Sequence, residues 1–117
     1  VFMELEYSLH LEPFVFCCLQ TNPFADKDVL MTFREEEGIT YTVSQSSAEA
    51  LGVDFEQIWS WISVDTHTQL NATGITAHIA AILGAHEIPC NVVAAFHHDH
   101  LFVPFELGKE ALRVLRA

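Results

Sequence analysis

Short apolar runs alternate with polar breaks along the chain, and their period changes between two residues and about 3.6. Phe14-Val15-Phe16-Cys17-Cys18-Leu19 is rich in aromatic and β-branched residues and closes at Asn22-Pro23, which predicts a strand ended by a turn. Val29-Leu30-Met31-Thr32-Phe33 and Ile39-Thr40-Tyr41-Thr42-Val43 flank Glu36-Glu37-Gly38. Ile39, Tyr41 and Val43 alternate with two threonines, so these runs predict a hairpin with one buried face, and Gly38 suits a φ > 0 position in its loop. Ser46 or Ser47 is placed to cap a short helix through Ala50-Leu51 that stops at Gly52.

The second half mixes the two periods. Trp59-Ser60-Trp61-Ile62-Ser63-Val64 predicts a strand that ends in the polar stretch Asp65-Thr66-His67-Thr68. From about Thr73 to Ala85, Ile75, Ile79, Ile82 and Leu83 recur at spacings of three and four, the mark of an amphipathic helix. Asn91–Phe96 and Leu101–Val103 predict two more strands joined by a turn at His98-Asp99. Leu107, Ala111, Leu112 and Leu115 then share a face of a last helix, and Arg113 and Arg116 at its end complement the helix dipole. From Trp59 the order is strand, helix, strand, strand, helix: a split βαβ unit of the ferredoxin-like type that lacks its fourth strand. One antiparallel sheet built from both halves would supply it. No linker or low-complexity run separates the halves.

Composition narrows the function. The 117 residues, half of them hydrophobic, suffice for one real core, and a second fully independent domain would be cramped. Sixteen acidic against five basic residues give a formal charge of -11, which repels phosphate backbones and anionic membranes; no nucleic-acid or membrane partner is expected. Cys17, Cys18 and Cys90 show neither a disulfide framework nor metal spacing, so buried thiols in a reducing, cytoplasmic setting are expected. The apolar run Pro13–Leu19 falls short of the roughly 20 residues of a membrane span.

Three strings carry a resemblance: Phe33-Arg34-Glu35-Glu36-Glu37-Gly38-Ile39-Thr40, Gly74-Ile75-Thr76-Ala77, and Asn91-Val92-Val93-Ala94 with His98-Asp99-His100-Leu101-Phe102-Val103-Pro104. In order and spacing they closely resemble a family of small, mainly bacterial ACT-domain proteins, long catalogued as a domain of unknown function. The second half is also distantly similar to the ACT modules of animal cytosolic arginine sensors. The resemblance implies an α+β fold of two tandem ACT-like, ferredoxin-like subdomains, residues 1–56 and 57–117, sharing an antiparallel sheet with helices on one face. It implies a non-catalytic regulatory module that binds an amino acid or similar small ligand, needs no cofactor and forms a homodimer.

Two places have chemistry suited to a ligand. At the strand-to-helix corner, a helix start offers unpaired N–H groups and a positive dipole end to a carboxylate. Gly74 allows close backbone approach, and Asp65, Thr66, His67, Asn71, Thr73, Ile75 and Thr76 surround it in sequence; Asn71 or Thr73 is equally suited to serve only as the helix cap. In the following hairpin, Asp99 is the candidate partner for a ligand ammonium, with His98, Asn91 and Val92 beside it. The run His97-His98-Asp99-His100 also raises zinc binding or metal-dependent catalysis as an alternative. Neighbours in a strand point to opposite faces, so no metal site is expected there unless the turn folds them together. A purely structural dimerisation module is the other alternative, with Trp59 and Trp61 anchoring a core or a dimer seam.

Overall fold

Alternation in the second half places Ile62 and Val64 of one strand, and Leu101 and Val103 of another, on the same buried face. The computed structural model describes residues 4–67, 71 and 73–117 and divides into two units, Val1–Leu11 with Trp59–Ala117, and Glu12–Ile58. In the first of these, strands β1 (Tyr7–Leu9), β5 (Trp59–Val64), β7 (Asp99–Pro104) and β6 (Asn91–Ala94) pair antiparallel in that order. The strand that the βαββα order lacked is therefore β1, joined to β5 through Tyr7↔Val64, Ser8↔Ser63 and Leu9↔Ile62. Helices α2 (Ile75–Ala85) and α3 (Gly108–Arg116) lay Ile79, Leu83, Ala111, Val114 and Leu115 on this sheet. Burying side chains of this size contributes about 1.5–3 kcal/mol each for the larger aliphatics, so this layer is the main source of the unit's stability.

The other unit holds β2 (Phe14–Leu19), β3 (Val29–Arg34) and β4 (Ile39–Ser44), in the order β3-β4-β2, with helix α1 (Gln45–Ala50). Its core is Val15, Cys17, Phe24, Tyr41, Val43 and Ala48. Gly38 sits in the β3–β4 loop at φ 152°, where a Cβ would stand 3.0 Å from the Leu19 carbonyl oxygen. A side chain there would push the loop off β2, so the glycine is a requirement of the turn.

Several local details differ from the sequence expectations. Ser44, not Ser46 or Ser47, caps α1: its hydroxyl accepts from the Ser47 N–H at 3.1 Å. Strand β4 thus runs straight into its helix. Gly52, at φ 67°, does end α1; its N–H donates to Glu49 O and that of Val53 to Ala48 O, the paired closure of a Schellman turn. Helix α2 begins at Ile75 with Gly74 (φ 85°) before it and no side-chain cap, so neither Asn71 nor Thr73 caps it. The β6–β7 turn lies at residues 95–98, closed by Ala95 N–H on His98 O, and Asp99 is the first residue of β7 rather than a turn residue. Cys17 and Cys90 are buried or half-buried, but Cys18 is exposed, because adjacent residues of a strand face opposite ways.

Candidate ligand-binding site

The exit of β5 is built by β1. Asp65 N–H donates to Glu6 O at 2.8 Å, and Glu6 N–H donates to Thr66 Oγ1 at 2.9 Å. The Asp65 carboxylate accepts from the Ser8 hydroxyl, and from the Ser63 hydroxyl at 3.2 Å. Because Ser63 spends its proton on Asp65, its oxygen accepts from His10 Nε2, 3.1 Å away. The His10 ring in turn stacks on Trp61, centroids 3.6 Å apart, and Trp61 Nε1–H donates to His100 Nδ1 at 3.1 Å. Residues Ser8, His10, Trp61, Ser63 and His100 thus form one polar row on the sheet face opposite the aliphatic core.

Burial holds the pKa of His10 below its ordinary value, opposed by the Asp65 charge. Burial lowers that of His100 as well, helped by the positive ends of His98 and His10 and opposed by Asp99 and Asp65. A neutral His100 is what the Trp61 bond requires, since Nδ1 must present a lone pair. The thiols of Cys17 and Cys90 are pushed up by burial, which keeps them protonated and poor nucleophiles.

The structure brings together the loop after β5 and the β6–β7 turn. His67 Nε2 is hydrogen-bonded to His97 Nδ1 at 3.1 Å, and His98 Nδ1 lies 3.5 Å from Thr66 O. At Gly74 no atom stands within 4 Å of where a Cβ would be, so the backbone there is open. The first N–H groups of α2 have no acceptor within the helix and, among the described residues, no side-chain cap. Asn71, Thr73 and Thr76 are exposed around this opening. Ile75 and Val92 turn instead to the aliphatic core, Asn91 is exposed, and Asp99 is 6% exposed at its pairing with Ala94. Of the Thr66–Thr73 segment, Thr68, Gln69, Leu70 and Ala72 lie outside the described residues.

The histidines of the 97–100 run diverge. His97 turns to His67, His98 to the Thr66 carbonyl, and His100 to Trp61. Among the described residues no group of three or more His, Cys, Asp or Glu side chains is placed to hold a metal ion. No helix among them is long and apolar enough to cross a membrane. Sequence reasoning missed Glu6, Ser8 and His10 because β1 went unread, although Leu5-Glu6-Tyr7-Ser8-Leu9-His10 alternates strictly between apolar and polar.

Antiparallel strands with helix packed on them in each unit, and an open strand-to-helix corner, define an α+β protein. Residues 2–60 match one ACT-domain family pattern and residues 54–117 another, and the chain belongs to the ACT-domain family. A Vibrio cholerae protein of unknown function, described as a possible transport protein, is 34% identical; the match covers 93% of this chain and 85% of that one, with a TM-score of 0.83. An Agrobacterium tumefaciens protein shares the fold at 14% identity, 97% and 87% coverage and a TM-score of 0.73. So does the ligand-free regulatory subunit of aspartate kinase from Thermus thermophilus, at 12% identity, 96% and 97% coverage and a TM-score of 0.64. No protein of curated function matches the sequence.

Proposed function

We propose that this ACT-domain chain is a non-catalytic regulatory module that binds an amino acid or a similarly small ligand, and that it acts as a cytoplasmic homodimer. The observation that carries the reading is the start of α2, without a side-chain cap among the described residues and open at Gly74, in a unit of the ACT family. A ligand carboxylate is attracted by the unpaired N–H groups and the positive dipole end of the helix. Thr73 and Thr76 add hydroxyl donors, and Asp65, Thr66, His67 and Asn71 border the corner. Asp99, with His98 beside it, is the acceptor for an ammonium group, because a nearly buried carboxylate gains most from a charge-assisted partner. Binding regulates only through different affinities for two states, so a second conformation or a partner completes the switch.

A thermal-shift screen of the common amino acids tests this directly. A true ligand at 100 times its Kd stabilises the fold by about 2.7 kcal/mol. Gly74→Asn tolerates the left-handed backbone but fills the opening, and it is expected to abolish the shift while leaving the melting temperature of the free protein nearly unchanged. A screen with no stabilising amino acid would refute the ligand reading. Sedimentation analysis checks the dimer.

A further inference from the structure

Strand β3 (Val29–Arg34) is the outer strand of its sheet and pairs with β4 alone among the described residues. The phase of that pairing fixes which backbone groups face away. Glu35 and Gly38, in the loop that follows, exchange both N–H···O bonds, at 2.9 and 3.3 Å. Hydrogen-bonded and non-hydrogen-bonded pairs alternate along an antiparallel ladder. Phe33↔Thr40 and Met31↔Thr42 are therefore bonded pairs, while Arg34↔Ile39 and Thr32↔Tyr41 are not. The N–H and C=O of Thr32 and Arg34 point out to the open edge, which thus offers donors and acceptors at strand spacing. Edge strands are usually blunted by Pro, Lys, a bulge or an inward charge. In β3 the register shifts between Val29 and Met31, which interrupts its start and leaves Met31–Arg34 regular. That stretch contains no Pro or Lys, and its Phe33 is 67% exposed. Acidic charge lies at both ends of the strand. Exposed Asp26 and Asp28 precede it and exposed Glu35, Glu36 and Glu37 follow it, against Lys27 and Arg34.

We propose that the β3 edge is a docking site for an extended segment of another protein, basic at both ends and β-branched or aromatic between them. The segment adds a strand to the sheet. Its backbone pairs with Thr32 and Arg34, an apolar side chain covers Phe33, and its basic ends meet the acidic ends of β3. A second copy of this chain does not fit. Two-fold antiparallel pairing of β3 with itself would set Asp26 and Asp28 of one copy against Glu35, Glu36 and Glu37 of the other, like charges at both ends. The inference is independent of the ligand-binding reading above, since no residue of the α2 opening takes part.

Isothermal titration and amide hydrogen exchange of the full chain test it, with the end-blocked peptide Lys-Lys-Val-Thr-Val-Thr-Val-Lys-Lys as probe. The peptide is expected to bind, and the same peptide with Glu in place of every Lys not measurably. Methylating the central backbone nitrogens keeps the charge and removes the donors, and should weaken binding at least about tenfold. At saturation the Thr32 and Arg34 amides should exchange at least about tenfold more slowly than in the free chain. Thr32→Pro deletes an outward N–H that β4 does not use, and should weaken binding about tenfold or more at a nearly unchanged melting temperature. Phe33→Ser, at an exposed position, should weaken binding as well and does not depend on how the strand accepts proline. Equal affinity for the methylated peptide would leave charge attraction alone and overturn the added strand. Protection of the same two amides that rises with protein concentration, without peptide, would put a second copy on the edge and overturn the occupant. No binding at about 1 mM peptide would overturn the docking site.

Discussion

Gly108→Ala sets two effects of known size against each other. Gly108 opens α3 with φ -59° and ψ -48°, an ordinary helical conformation that alanine adopts without strain. Helix propensity alone favours alanine there by about 0.8–1.0 kcal/mol. Against this, the new Cβ would stand 2.8 Å from Ser60 Cβ and closer still to Ser60 Oγ, with Leu9 Cδ1 at an ordinary 3.5 Å. Carbon atoms pack best at about 3.5–4.0 Å, so the overlap with Ser60 Cβ is about 0.7 Å or more. The Ser60 hydroxyl can rotate away by giving up its 3.3 Å bond to the Phe105 carbonyl. Its Cβ cannot, because Ser60 is buried in β5 and its backbone is paired to Val103. Helix α3 must therefore lift from the sheet. Overpacking of this kind typically costs about 1–3 kcal/mol, so the net expectation is destabilisation by up to about 2 kcal/mol once propensity is subtracted. That is a fall of roughly 4–8 °C per kcal/mol in a domain of about this size. Urea and thermal unfolding followed by circular dichroism measure it. Ser60→Gly removes the obstructing Cβ, and the double variant should recover much of the loss as a favourable coupling. A Gly108→Ala chain more stable than the native one by the full helix-propensity gain, or Ser60→Gly without rescue, would refute the close approach of α3 to β5.

Two further outcomes follow from single groups. Ser44→Ala removes the cap of α1 and should lower stability by about 1 kcal/mol, while Ser44→Asp retains an acceptor and most of the stability; equal denaturation midpoints for all three chains would show that the cap contributes nothing. The depressed pKa values of His10 and His100 predict a pH dependence. Unfolded imidazoles titrate near about 6.5, so between that value and the lower folded values the unfolded chain binds more protons and stability rises with pH. Their contribution is complete above about pH 6.5 and is lost as pH falls from there through the folded values. Melting temperatures from about pH 5 to about pH 7.5 should show a steeper fall for the native chain than for a His10→Gln, His100→Gln variant; parallel curves would contradict the assigned environments.

Much of the fold was legible because the signals are local. The alternation of Ile39, Tyr41 and Val43, the three-and-four spacing from Ile75 to Leu83, and Gly52 after α1 each act within a turn or two of themselves. Cap positions and turn limits were less legible. Ser44, Ser46 and Ser47 are all competent caps, and the point where β4 ends chooses between them. The turn expected at His98-Asp99 lies a little earlier, at residues 95–98, for the same reason: pairing of Asp99 with Ala94 extends β7 into a sequence that reads as polar loop. Partner identity was the least legible. Nothing local to Tyr7–Leu9 says that these residues complete a sheet whose other members begin at Trp59. Missing that strand also hid the surroundings of Asp65, since Glu6, Ser8 and His10 reach it only through the long-range pairing.

Asp65 is where these long-range contacts converge on function. It follows the last residue of β5 and begins the segment that leads to α2. Its orientation comes from two serine hydroxyls on adjacent strands rather than from a local turn. A carboxylate held this way is oriented for a cation, because the hydroxyls supply fixed donors. Surface carboxylates without such support are worth little as binding groups, since ordering them offsets most of the gain. The identity of β1 therefore matters to ligand binding as much as to stability. It closes the sheet, brings the Ser8 hydroxyl to Asp65, and gives Arg116 the carbonyl on which its guanidinium rests.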